Sequence, residues 1–131
     1  MKSEELQMIK RIAKMSKGIK QSSYKYNRFD AYNHISIFEV KHRNEFYEDV
    51  LIEFDKFSYN YAYAMVNKLK FIYAVEMDNV IYLFDIIKLV KNGHNFNWIW
   101  KEMPKTTEFN QKEKIQKYVG FLNIRNSDFE L

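Results

Sequence analysis

Glu39 and Lys41 stand two residues apart at the end of an apolar run, Ile35-Ser36-Ile37-Phe38, and Asp30 precedes Glu39 by nine positions. In an extended strand, side chains two apart share a face. Glu39 and Lys41 would then project side by side, their Cα atoms about 7 Å apart. A short polar turn, Tyr32-Asn33-His34, would return the chain so that Asp30 arrives from a preceding strand. Two carboxylates and an ammonium on one sheet edge can hold a divalent metal and activate water beside a phosphate. An acid two before a lysine arises by chance in a chain of this composition, so the pair alone carries little. Its context carries more: it closes the most strand-like segment of the first half and is followed by the polar cluster His42-Arg43-Asn44.

Several elements are needed to position these residues. Ser3 suits a helix N-cap, with Glu4 and Glu5 in the first turn where carboxylates complement the dipole. Met8, Ile12, Met15 and Ile19 recur at helical spacing, with Lys10, Lys14 and Lys17 on the other side. They predict an amphipathic helix ending near Gly18. Residues 24–31 and 35–41 read as an antiparallel strand pair, and 50–54 as a third short strand. Phe57, Tyr61, Ala64, Met65 and Leu69 predict a helix from 55 or 58 to 69. Segments 71–75 and 80–86, joined by Met77-Asp78-Asn79, predict a hairpin. Residues 94–101 alternate like an edge strand that Pro104 ends, and 111–122 fits either a helix or a strand. Trp98 and Trp100 would share one face of that edge strand, packing on the core or stacking on unpaired bases. The predicted fold class is α/β (α+β): a central mixed β-sheet flanked by helices, in the order α-β-β-β-α-β-β. The core would span 1–90, with 91–131 packed on it as an extension.

A chain of 131 residues is long enough for one domain with a single core. It has no cysteine, which excludes disulfides and thiolate metal sites. The longest apolar stretch, 80–90, is broken by Asp85 and Lys88 and is too short to span a bilayer. Lysines interrupt the apolar residues of the N-terminus, unlike the core of a signal peptide. These features predict a soluble cytoplasmic protein with no membrane partner. Charge is unevenly spread: residues 1–28 hold eight Lys and Arg against two Glu, and the remainder is slightly acidic. A local basic surface of this kind attracts a phosphate backbone independently of sequence. A solvated helix face would look the same.

Arg28-Phe29-Asp30-Ala31 followed by Ile37-Phe38-Glu39-Val40-Lys41-His42-Arg43 resembles the PD-(D/E)xK, or restriction-endonuclease-like, superfamily. Its members carry an aspartate on one strand and an E-x-K pair on the next; here Phe29 stands where their pattern has proline. The resemblance implies a Mg²⁺- or Mn²⁺-dependent DNA endonuclease in which Asp30, Glu39 and Lys41 are catalytic. Asp30, Glu39 and the Val40 carbonyl would hold the metal. Glu5 would complete the set from the first helix, with Glu4 as second choice. Lys41 would orient the attacking water. Arg43, Lys56 and the basic helix residues Lys10, Lys14 and Lys17 would bind flanking phosphates of DNA, and a homodimer would place two sites on two strands.

Other chemistries fit poorly. His34, His42 and His94 have no H-E-x-x-H spacing, and the three glycines form neither a P-loop nor a dinucleotide fingerprint. His42 lies next to the pair, but strand alternation turns it away from Lys41. Two further readings stay open: a non-catalytic nucleic-acid-binding protein with the same fold, and a small protein-interaction module using its aromatic surface.

Overall fold

The segment Ser-Ile-Phe-Glu-Val-Lys-His is buried on both sides over most of its length, which requires cover on both faces of its sheet. The computed structural model describes residues 2–22, 28–105 and 113–131. In chain order the elements are α1 (Ser3–Ala13), β1 (Lys20–Gln21), β2 (Ala31–Tyr32), β3 (Ser36–His42), β4 (Asp49–Glu53), α2 (Phe54–Asn67), β5 (Lys70–Met77) and β6 (Val80–Asp85). They continue with α3 (Ile86–Lys91), β7 (Ile99–Pro104), β8 (Lys114–Asn123), a 3-10 turn at Ile124–Asn126 and β9 (Phe129–Glu130).

A six-stranded mixed sheet runs β1-β2-β3-β5-β6-β9, and a three-stranded sheet runs β4-β8-β7. Only β3 and β5 are parallel in the larger sheet, and the chain crosses between them through β4 and α2. This is the long connection that parallel neighbours require. Alternation divides the side chains of β3 between two cores. Phe38 and Val40 pack with Met8, Ile9 and Ile12 of α1. Ile37 faces the other way, toward Ala64 of α2 and Val50, Ile52 and Leu122 of the small sheet. The Tyr73 hydroxyl of β5 donates to the Leu51 carbonyl at 2.9 Å, tying the two sheets together. No helix among the described residues is long and apolar enough to cross a membrane.

Several boundaries differ from the sequence expectation. The first helix ends at Ala13 instead of near Gly18, because the next residues are held by another element. The Asn33 side chain donates to the Ser16 hydroxyl and to the Lys17 carbonyl. The strand expected over 24–31 is short where it is described, Ala31–Tyr32, and residues 24–27 lie outside the described residues. The third strand forms, but it joins β8 in the small sheet and not the central one. The apolar run 80–86 gives up its last residue to α3, whose N-terminus is capped by Asp85 accepting from the Lys88 N–H. The edge strand starts at Ile99, not His94, since Asn97 takes a left-handed backbone (φ 53°) that interrupts extension. Pro104 is its last residue, a position on an edge where a missing N–H breaks no ladder. Of the segment read as helix or strand, the described part is strand β8.

Candidate active site

Register brings Asp30 to Glu39. Ala31 pairs with Phe38, which carries the preceding residue, Asp30, to the stretch of β3 that holds Glu39. The Asp30 N–H donates to the Phe38 carbonyl at 2.8 Å, one residue out of that register, so the ladder bulges at Asp30. Glu39 and Lys41, two apart on β3, share one face, and the Asp30 carboxylate lies close enough to raise the pKa of Glu39. Phe38 and Val40 both turn their backbone polar groups toward β2. The Val40 N–H is taken by Asp30 Oδ2 at 2.9 Å, and its carbonyl opens on the same edge, past the start of β2.

Glu39 is 4% exposed, and its nearest cation is the Lys56 ammonium, 3.4 Å from Oε1. Lys56 stands in the first turn of α2, three residues after Glu53, and lies 3.5 Å from that carboxylate as well. Glu53 in turn accepts from Lys117 of β8 at 2.6 Å. The result is a chain of alternating charge: Glu39, Lys56, Glu53, Lys117.

Burial and the neighbouring Asp30 carboxylate push the Glu39 carboxyl up to about 8, with Lys56 and Lys41 pulling against them. Asp30 is also raised, by burial first; the Val40 hydrogen bond opposes this and the Glu5 carboxylate adds to it. Burial, then the charges of Lys56 and Arg43, bring the Lys41 ammonium down to about 8. Lys56 goes the opposite way: although burial lowers it, Glu39 and Glu53 together hold it protonated. A protonated Lys56 between two acids is the direction the geometry supports, since Glu53 keeps its own charge.

Of these groups, Lys41, Lys56 and Glu53 line an open cleft of about 360 Å³; Asp30 and Glu39 lie behind them and do not. Lys41, Arg43, Lys56, Lys105 and Lys117 line it, against two acids, Glu53 and Asp55. Sequence reasoning placed Lys41, Arg43 and Lys56 at the site but passed over Glu53, Lys105 and Lys117. Glu53 carried a signal in its spacing to Lys56; Lys117 carried none, because only the pairing of β4 with β8 brings it near.

Of the remaining expected residues, Glu5 is half-buried on α1, near enough to the edge of the sheet for its charge to be felt at Asp30. Glu4 is exposed beside the Ser3 hydroxyl. Lys10, Lys14 and Lys17 are exposed and do not line the cleft. The Lys17 carbonyl is bonded at the turn that precedes β3. That is the opposite end of β3 from Lys41, about 17 Å along a strand. His42 also faces α1: its Nδ1 lies 2.7 Å from Glu76, which also pairs with Arg11.

Compared with known proteins, the chain matches no family model, no curated protein and no solved structure. The chemistry is therefore argued from the side chains. Among the described residues, no group of three or more carboxylate or imidazole side chains gathers as a metal cluster. Two carboxylates and a backbone carbonyl are nevertheless a hard-oxygen donor set of the kind Mg²⁺ accepts, with water filling the remaining positions. The donors also suit a cation electrostatically. The Asp30 carboxylate raises the pKa of buried Glu39, and positive charge placed between the two relieves that repulsion.

Proposed function

We propose that the chain is a metal-dependent DNA endonuclease hydrolysing phosphodiester bonds beside the C-terminal end of β3. The observation that carries this reading is the gathering of Asp30, Glu39 and Lys41 at one end of β3, directly behind a cationic cleft that Lys41 and the Glu39 partner Lys56 line. Asp30, Glu39 and the Val40 carbonyl would hold Mg²⁺ or Mn²⁺, with Glu5 contributing from α1. When bound, the cation supplies Lewis acidity at a phosphoryl oxygen and a lowered pKa for bound water.

The chain's own groups do the rest. Lys41 Nζ orients the attacking water by hydrogen bonding and neutralises charge as it builds on phosphorus. Lys56 balances Glu39 and Glu53 while facing the phosphate. Arg43, Lys105 and Lys117 bind flanking phosphates, which positions the substrate without reading bases.

The decisive measurement is nicking of supercoiled plasmid with Mg²⁺ and with EDTA. Wild type should nick only with Mg²⁺, and Glu39→Gln, Asp30→Asn and Lys41→Ala should each lose on the order of 100-fold or more. One observation favours a second reading, non-catalytic binding of DNA: Lys56 already compensates Glu39 without a metal. Salt-dependent DNA binding with no Mg²⁺-dependent nicking by wild type would select it.

A further inference from the structure

We propose that the surface next to the cleft seats an unpaired nucleotide of single-stranded DNA, its base stacked on Trp100. This deepens the nuclease reading and rests on it for the identity of the polymer. Trp100 is 68% exposed, the most open of the chain's two tryptophans, whereas Trp98 is enclosed by Phe54, Phe57 and Phe96. Trp100 sits directly opposite Tyr118 across β7 and β8, with ring centroids 5.1 Å apart. Tyr118 is itself fixed from behind, stacked on Trp98 at 5.7 Å and edge-on to Phe54 at 5.3 Å. The Trp100 ring is thus braced on one side and offers the other to solvent.

Trp100 lines a recess of about 460 Å³ that shares Glu53, Asp55, Lys105 and Lys117 with the cationic cleft. The two spaces adjoin at those residues. The charge that points to the occupant comes from the adjoining cleft, since the recess itself balances Lys105 and Lys117 against Glu53 and Asp55. A backbone phosphate held by Lys105 and Lys117 would carry its base toward the aromatic wall. Paired bases in a duplex keep their faces covered by their neighbours, so the ring can receive only a base that is out of the stack. Cationic grooves with aromatic platforms are the usual way of binding single strands without sequence preference. A second copy or another protein on the β7 edge would need no such cationic neighbour.

The test is fluorescence anisotropy in EDTA, which removes hydrolysis. The probes are an oligothymidylate of about ten nucleotides, the same strand with an abasic centre, and a duplex of equal length. Trp100→Ala is expected to weaken binding of the single strand about tenfold or more, Trp100→Phe to restore most of it, and duplex affinity to stay within about twofold. The abasic strand should lose the sensitivity to Trp100→Ala. Thermal unfolding of each variant checks that the fold is kept, as an exposed ring allows. Equal single-strand binding by wild type and Trp100→Ala overturns the inference, as does an equal loss on duplex. If wild type nicks plasmid in Mg²⁺ while Trp100→Ala binds normally, only the stacking site falls. Absence of both nicking and DNA binding removes the nuclease reading and the stacking site together.

Discussion

Glu39 sits where its own charge is disfavoured, and that gives a thermodynamic handle on the site. Its carboxyl, raised from an ordinary 4.5 to about 8 by burial and Asp30, costs more to ionise in the fold than in the unfolded chain. The stability that goes with its protonated form is complete below pH 4.5 and is lost as pH rises through about 8. At pH 8 in EDTA, Glu39→Gln should therefore melt several degrees above wild type, an effect on the order of a few kcal/mol. Adding Mg²⁺ should raise the wild-type Tm and leave the variant unmoved, since a ligand of the folded state stabilises by mass action. Identical Mg²⁺ responses would remove Glu39 from the ligand set. Glu53 has the opposite sign. Burial works to raise it, but the Lys117 hydrogen bond and the charges of Lys56 and Lys117 carry it below the ordinary range. Its contribution is present above that range and is lost as pH falls through the depressed value. Glu53→Gln should flatten the acid limb of a Tm–pH curve below about pH 5, and an unaltered limb would show the ion pairs to be thermally idle.

At the scale of elements, the small sheet decides how the cleft is closed, and Gly120 decides how closely it packs. A Cβ at Gly120 would lie 2.9 Å from Phe96 Cβ and from ring atoms of Trp98. Gly120→Ala should cost about 1–3 kcal/mol through overpacking, read as a fall in Tm of several degrees. A Tm equal to wild type would show that the aromatic cluster has slack. Nothing local in the sequence pointed to this contact. What could be read locally was read correctly in kind: the strand carrying Glu39 and Lys41, the helix after Asp55, and the hairpin through Asp78 and Asn79. Both of those turn residues adopt positive φ, as a tight hairpin demands. Period-two alternation was also enough to place Glu39 and Lys41 on one face and His42 on the other. Long-range pairing was not legible. Asp49 and Asn123, 74 residues apart, are joined side chain to side chain where β4 meets β8. No pattern within either segment names its partner, so β4 was expected in the central sheet and Lys117 went unnoticed. Trp98 and Trp100 looked equivalent in sequence, yet the left-handed Asn97 and the packing of Phe54 separate one half-buried, packed ring from one open ring.

For the whole molecule, a formal net charge of +4 conceals two separate basic surfaces. Counting charges along the chain favours α1, whose lysines lie in the most basic stretch of the sequence. The fold puts α1 against Phe38, Val40 and Ala74, on the opposite face of the sheet from Lys41. The cleft draws its cations from β3, α2, β7's end and β8 instead. The two surfaces make different predictions for salt dependence, because each phosphate neutralised releases counterions and steepens the fall of log K with log salt. Arg43→Gln and Lys105→Gln should each reduce the slope for single-stranded DNA by about 0.7, and each should weaken binding similarly across sequences. A triple variant with Lys10, Lys14 and Lys17 changed to Gln removes more charge, yet should leave the slope and the nicking rate within about twofold of wild type, because none of the three lines the cleft. The reverse pattern, with Lys10, Lys14 and Lys17 setting the slope and the cleft cations silent, would put the DNA across the α1 face. The sheet would then separate the bound phosphates from Asp30, Glu39 and Lys41, and these three could not act on them.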